Sequence, residues 1–238
     1  MGKRVNKIGT MHSGSISLII PALNEEGQIA ETLRAAGENR AGEIIVVDGG
    51  SRDETCSIAR EFGCKVITSP PGRGVQMNAG AAIAGGDILL FLHADTKLPE
   101  EWDRFVKEAF EEGDVAGSAF RFSIEAASLP LYLITFAVNL RTALFSLPYG
   151  DQAIAVRKEI FSRLGGYPPL SIMEDVAMVR GMGRLGRLKI IKTPVKTSPR
   201  RWNKEGWFKV SLRNQALLFS YLAGVSPERL ARFYRAVR

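Results

Sequence analysis

Cysteine is scarce: the 238 residues hold only Cys56 and Cys64, which make no CxxC pair. That spacing excludes a disulfide scaffold and fits reduced thiols in a cytoplasmic protein. No uncharged apolar run reaches the roughly 18 residues that a membrane span needs. The nearest approach, Leu129–Leu147, is interrupted by Asn139 and Arg141. The two common nucleotide loops are missing as well. There is no GxxxxGK[ST], and no GxGxxG follows a strand-like run. No internal repeat, low-complexity tract or long linker divides the chain. Residues 1–14 are polar and basic, lack the apolar segment of a signal peptide, and are expected to be disordered.

Charge is present but unevenly placed. The net charge is +7, yet the stretch from Arg180 to Arg238 carries 15 Lys/Arg against Glu205 and Glu228, which leaves +13 there. A basic C-terminal quarter implies an anionic partner: a phosphate-bearing substrate, a membrane surface or nucleic acid.

The first half alternates short apolar runs with helical spacing. Ile16–Pro21, Glu43–Asp48, Cys64–Thr68 and Asp87–Leu92 read as buried strands. Gln28–Ala36, Arg52–Phe62, Gly74–Ala84 and Pro99–Glu112 read as the intervening helices. Such alternation predicts an α/β fold, with a Rossmann-like, mostly parallel central sheet and helices on both faces. The pattern loosens after about residue 114. There Val115–Ile124, Gln152–Val156 and Leu188–Ile191 read as strands. Leu129–Leu147, Met173–Gly183, Phe208–Leu222 and Pro227–Val237 read as helices. The expected organisation is one domain over 15–238. Its nucleotide-binding half covers about 15–113, and its acceptor half covers about 114–238 with basic terminal helices.

Ligands of open α/β sheets bind outside the carboxyl ends of the strands. Those ends carry Asn24-Glu25, Asp48 and His93-Ala94-Asp95. Acids gathered on one rim repel one another, and a divalent cation with a nucleotide would offset that repulsion. The glycines after Asp48 suit a base or ribose better than a pyrophosphate.

Taken together, these segments resemble the family-2 glycosyltransferases, which have the GT-A fold. "IIPALNEE" looks like that family's first strand and nucleotide turn, involving Pro21, Ala22, Asn24 and Glu25. "IIVVDGGSRDET" resembles its second, where the acid matching Asp48 reads the base. "RGVQMNAGAAIAGGDILLFLHADT" resembles the segment leading to the metal-binding DxD. "GDQAIAVRKEIFSRLGGYP", then "MEDVAMVRGM", resembles the acceptor-side segment and the acidic pair that carries the base. "TSPRRW" resembles the (Q/R)xxRW element. The small soluble subgroup with RGxQMNxGA, LHADT and TSxRRW is the most similar.

The resemblance implies an inverting, metal-dependent, non-processive transfer of a sugar from a nucleoside-diphosphate sugar to an acceptor hydroxyl. UDP-sugar is the first choice of donor and GDP-sugar the second. Asp175 is the expected general base, with Glu174 beside it. Asp95 is the expected ligand of Mg²⁺ or Mn²⁺. His93 stands where the first acid of the DxD belongs, and ligation, a donor hydrogen bond and packing all stay open for it. Arg73, Gln76 and Asn78 are candidates for nucleotide or donor-sugar contacts. Gly150, Asp151 and Gln152 are candidates near the donor or acceptor sugar. Arg201, with Arg200 beside it, suits phosphate oxygens. Trp202 would shield the site, stack on a sugar, or pack in the core.

The acceptor is unknown, with a lipid-linked molecule among the candidates. The apolar helices beside basic charge suit either ordinary core packing or peripheral contact with the inner face of a membrane. No nucleic-acid partner is expected, and a homo-oligomer stays open. The alternative reading is a catalytically inactive nucleotide-sugar-binding protein.

Overall fold

A computed structural model describes residues 14–37, 40–125 and 128–236. The segment expected to be disordered, residues 1–14, lies outside the described residues apart from Gly14. The order of elements begins β1 (Ile16–Ala22), α1 (Glu26–Ala36), β2 (Glu43–Asp48), α2 (Thr55–Glu61), β3 (Lys65–Thr68), α3 (Arg73–Ile83) and β4 (Ile88–Phe91). It continues with β5 (Thr96–Lys97), α4 (Trp102–Phe110), β6 (Val115–Ile124), α5 (Leu129–Phe145), a 3-10 turn (Gly150–Gln152), β7 (Ile154–Arg157) and α6 (Lys158–Arg163). It ends with α7 (Glu174–Leu185), β8 (Arg187–Thr197), α8 (Arg200–Glu205), α9 (Trp207–Leu222) and α10 (Pro227–Ala236).

The eight strands of the described residues form one sheet in the order β3-β2-β1-β4-β7-β6-β8-β5. β3, β2, β1 and β4 run parallel, and β6 runs parallel to β8. β7 is antiparallel to both β4 and β6, and the two-residue β5 is antiparallel to β8. The chain leaves β1 toward β2 and β3, then returns to lay β4 on the other side of β1. This reversal opens a crevice at the carboxyl ends of β1 and β4, the place where open α/β sheets bind ligands.

The period-two rule for strands explains why helices cover both faces. On β1, Ile16, Leu18 and Ile20 point into a core with Ile29 and Leu33 of α1 and Trp102 of α4. Ile19, between them, points the other way, toward Met77 of α3 and Val179 of α7. Every residue of β1, β4 and β7 is buried, which is why these strands read as unbroken apolar runs.

Several elements differ from the sequence expectation. β8 does not stop at Ile191 but runs on to Thr197. Its pairing with β6 jumps from Ile191 opposite Phe120 to Pro194 opposite Arg121, so a bulge at Lys192-Thr193 absorbs the proline. Four elements were absent from the expectation: β5, α6, α8 and the 3-10 turn, whose Gln152 the sequence reading gives to the following strand. Each spans six residues or fewer, too short to show a period.

Candidate active site

The first wall of the crevice is built from the turns that follow β1 and β2, and hydrogen bonds zip these turns together. Asn24 sits at φ 54°, a left-handed conformation that asparagine tolerates. Its backbone N–H donates to Ser51 Oγ (2.9 Å), and its Oδ1 accepts from the Arg52 N–H (2.9 Å). The Glu25 N–H donates to Thr55 Oγ1 at 2.7 Å. Asp48 closes the β2 turn by accepting from the N–H groups of Gly50 (3.0 Å) and Ser51 (3.1 Å). Burial pushes the Asp48 carboxyl up, but the hydrogen bonds from Ser51, Gly50 and Cys56 outweigh it and hold it below the ordinary range.

Helix α3 supplies the frame. Both donors of the buried Gln76 amide are spent, one on the Ala22 carbonyl (2.9 Å) and one on the Val47 carbonyl (2.8 Å). Gln76 thus locks the ends of β1 and β2 together and has no N–H left for a ligand. Asn78 clips the backbone of Tyr167, donating to its carbonyl and accepting from its N–H, both at 2.8 Å. Arg73 binds Glu174 at 2.8 Å, which ties α3 to the start of α7. Burial pushes the Glu174 carboxyl up, and Arg73 pulls against it. Gln152 is also framework. It donates to the Phe120 carbonyl (2.9 Å) and accepts from Thr142 Oγ1 and the Tyr149 N–H (both 3.1 Å).

The centre lies where the end of β4, the 3-10 turn and the start of α7 meet. Asp175 Oδ2 accepts from the Gly150 N–H at 2.8 Å, and Oδ1 accepts from the Val176 N–H at 2.8 Å. A Cβ on Gly150 would stand 2.7 Å from His93 Nε2 and 3.4 Å from Asp175 Oδ2. Only glycine lets the imidazole and the carboxylate close on this backbone. Met173, just before the acidic pair, and Ala153, just after the 3-10 turn, hold φ of 66° and 50°. Such left-handed conformations in non-glycine residues cluster at functional sites. His93 is neutral: burial, with Arg73 and Arg201 adding positive charge, lowers its pKa to about 3.

Asp151 is a second strongly perturbed acid of the site. Burial raises its pKa to about 6; Arg141 and Arg201 pull it down, while Asp175 and Asp95 push it up. Its Oδ1 is buried with no hydrogen-bond partner among the described residues. Sequence reasoning missed Arg141 and Tyr149 here. The Arg141 guanidinium lies 3.6 Å from the Tyr149 ring centroid, and burial pushes the Tyr149 hydroxyl up to about 12. The available signal was the single arginine interrupting an apolar helix.

Helix α8 forms the opposite lip. Arg200 Nη2 donates to Glu25 Oε2 at 2.7 Å, so an ion pair bridges the crevice from the start of α8 to the β1 turn. Burial raises the Glu25 carboxyl against the pull of Arg200, and Asp95 and Asp53 add to the rise. Arg201 is exposed. Trp202 turns inward and packs with Phe122, Ile124, Leu131 and Val210, so of the roles open to it from the sequence the structure shows core packing, which anchors α8.

Among the described residues, no three His, Cys, Asp or Glu side chains form a group able to hold a metal. Asp95 nevertheless adds to the cost of ionising Asp151, and one Asp151 carboxylate oxygen lacks a hydrogen-bond partner among the described residues. A few oxygen donors with unrelieved negative charge fit Mg²⁺ or Mn²⁺, which take one or two carboxylates and fill the rest with phosphate and water.

Comparisons with known proteins bear on the family and the fold. A model of glycosyl transferase family 2 matches residues 17–165. The undecaprenyl-phosphate 4-deoxy-4-formamido-L-arabinose transferase of Pseudomonas paraeruginosa is 33% identical over 61% of this chain and 48% of its own length. The probable glycosyltransferase YdaM of Bacillus subtilis is 27% identical over 87% of this chain and 57% of its own length. The chain thus spans about half the length of these curated relatives. The mannosyltransferase PcManGT of Pyrobaculum calidifontis, solved with GDP-Man and Mn²⁺, superposes with a TM-score of 0.65 at 18% identity, covering 100% of this chain and 73% of that one. Glucosyl-3-phosphoglycerate synthase of Mycobacterium tuberculosis, solved with Mn²⁺, UDP-glucose and phosphoglyceric acid, gives 0.56 at 21% identity over 76% of this chain and 70% of its own. The sheet order, the acids on its rim and the match over residues 17–165 lead to one assignment: the chain has the GT-A fold and belongs to glycosyl transferase family 2.

Proposed function

We propose that the protein is an inverting, non-processive glycosyltransferase that moves a sugar from a nucleoside-diphosphate sugar to an acceptor hydroxyl. The observation that carries this reading is the convergence of Asp175, Gly150 and His93 at the carboxyl end of β4, beside Asp95 and Asp151. The donor is a UDP-sugar first and a GDP-sugar second; proteins of the same fold have been solved with both nucleotide classes and Mn²⁺. The β1 and β2 turns hold the nucleoside, with Asp48 accepting from the base or ribose. Residues 15–113 form the donor half and 114–238 the acceptor half.

Asp175 takes the proton of the acceptor hydroxyl. Each of its oxygens keeps a lone pair beyond the bonds from Val176 and Gly150. The acceptor oxygen then bonds to the anomeric carbon as the bond to the diphosphate breaks, and the nucleoside diphosphate departs with the electron pair. Asp95 holds Mg²⁺ or Mn²⁺, whose charge would offset that gathering on the diphosphate. Arg201, and Arg200 once released from Glu25, donate to its phosphate oxygens. Neutral His93 donates or accepts a hydrogen bond without adding charge, and Gly150 keeps it against Asp175.

A lipid-linked acceptor is supported by the relative named for undecaprenyl phosphate. No helix among the described residues is long and apolar enough to cross a membrane. The free thiols Cys56 and Cys64 suit the cytoplasm, with action at the inner face of the membrane.

The test is Asp175→Asn. Donor binding, read by calorimetry, is retained, while transfer falls by about 10²–10⁴-fold. NMR of the product gives the opposite anomer to the donor. Full transfer activity in Asp175→Asn, or a retained anomer, overturns the assignment of the base.

A further inference from the structure

The acid-rimmed crevice does not account for the most unusual surface of the molecule. Among the described residues, twelve of the 17 exposed large apolar side chains lie on α5 and α9. On α5 they recur every three or four residues, as in Leu133, Phe136 and Leu140, so they form one stripe. Of the 17 residues of α5 only Leu131 and Thr142 are buried. The helix carries no acid, and its one cation, Arg141, turns inward onto Tyr149. On α9 the buried face is Val210, Arg213, Leu217 and Leu218, and the opposite side exposes Phe208, Leu212 and Phe219. Phe136 and Phe219 each leave 66% of their surface in water. The two helices share a core, because Leu131 and Val210 both pack with Trp202. Their outer sides therefore belong to one region, of a kind that water-soluble surfaces do not leave bare without a partner.

We infer that the α5–α9 face docks on an anionic lipid bilayer, with its aromatic and leucine side chains entering the interface and a basic border meeting the lipid phosphates. The border is what selects this occupant. Arg200, Arg201, Lys204, Lys209, Arg229 and Arg232 are exposed on α8, α9 and α10. Against them stands one exposed acid, Glu228, while Glu205 is held by Arg213 at 2.6 Å. An apolar strip edged by cations is the composition that binds anionic membrane interfaces. A second copy of the same face would bring its own cations against these, so charge disfavours self-association. The geometry also connects this face to the crevice. α8 carries Trp202 beneath the patch and Arg200 across the crevice mouth to Glu25, so a molecule anchored in the bilayer meets the enzyme at that mouth.

This inference deepens the glycosyltransferase reading by naming the surface on which the acceptor is met. Vesicle binding needs no donor and donor binding needs no vesicle, so either can fail without the other. The experiment is vesicle flotation of the full chain at low salt. One vesicle is pure phosphatidylcholine, and the other contains about one-third phosphatidylglycerol. The wild type is expected to float with the anionic vesicles, to bind the neutral ones at least about tenfold less, and to be released by high salt. Leu133→Glu with Phe136→Glu, and separately Phe208→Glu with Phe219→Glu, are expected to abolish flotation. Because these side chains are exposed, melting temperature is expected to stay unchanged, which separates lost docking from lost folding. Lys204→Glu with Lys209→Glu is a second, independent probe and is expected to weaken anionic binding alone. A wild type that stays in the soluble fraction with both vesicles overturns the inference. So does a dimer in light scattering that the same glutamate variants dissociate, because the occupant is then a second copy.

Discussion

Replacing Asp151 by asparagine makes the cost of gathering acids at this site measurable. In the folded protein the Asp151 pKa rises from 3.8 to about 6, with burial first among the causes and Asp175 and Asp95 adding to it. A rise of roughly two units corresponds to about 3 kcal/mol, an upper bound that relaxation and water lower to about 1–2 kcal/mol. The sign follows from proton counting. Below about pH 4 the carboxyl is protonated in both states and contributes no difference. Between about pH 4 and 6 the folded protein keeps a proton that the unfolded chain has released, so stability falls as pH rises. Above about pH 6 the penalty is complete. Asparagine is neutral at every pH and escapes it. Asp151→Asn is therefore expected to melt roughly 2–6 °C above the wild type at pH 8, the range for a chain of this size. The gap is expected to close as pH falls toward 4. Paired calorimetric melts across that range check it. A constant gap, or a variant less stable at pH 8, would refute the electrostatic reasoning.

Two further changes probe the frame and the centre. Gly150→Ala brings a methyl within 2.7 Å of His93 Nε2, so transfer is expected to drop by about tenfold or more. Its kinetics are checked beside a melt that moves by only a few degrees. Gln76→Leu leaves the buried Ala22 and Val47 carbonyls without their side-chain donor, and urea unfolding is expected to lose about 2–4 kcal/mol.

The first 113 residues of the fold were the more legible in the sequence, for a physical reason. β1 and β4 are buried on both faces, and Glu43–Asp48 was read with the bounds that β2 takes. Past residue 114, strands and helices interleave with short pieces. β8 crosses a proline by bulging, and α8 hides in a basic stretch that shows no period. At the site, residue type was easier to read than direction. Asn24, Glu25, Asp48, His93 and Asp95 stand out because strand ends bear polar groups, and Asp151 and Asp175 stand out through the segments that resemble the family. The structure gathers His93, Asp151 and Asp175 around Gly150, with Asp95 acting electrically on both Asp151 and Glu25. Gln76, Asn78, Gln152 and Trp202 stand out through the family resemblance as well, but they turn inward to bind backbone or fill the core. Which way an amide or indole turns depends on tertiary neighbours that one sequence does not display. Arg141 was passed over as an interruption of an apolar run, because its partners Tyr149 and Asp151 come from the following loop.

The account rests on a donor site at the crevice, and thermal shift with nucleotide sugars tests it most directly. UDP-, GDP- and dTDP-sugars would be added to the wild type and to Asp95→Ala, with and without Mn²⁺ or Mg²⁺. A ligand that binds only the folded state raises the melting temperature by mass action. The account predicts a rise with one nucleotide class, dependent on the metal and lost in Asp95→Ala. No rise with any donor at millimolar concentration, or an equal rise in Asp95→Ala, would contradict it.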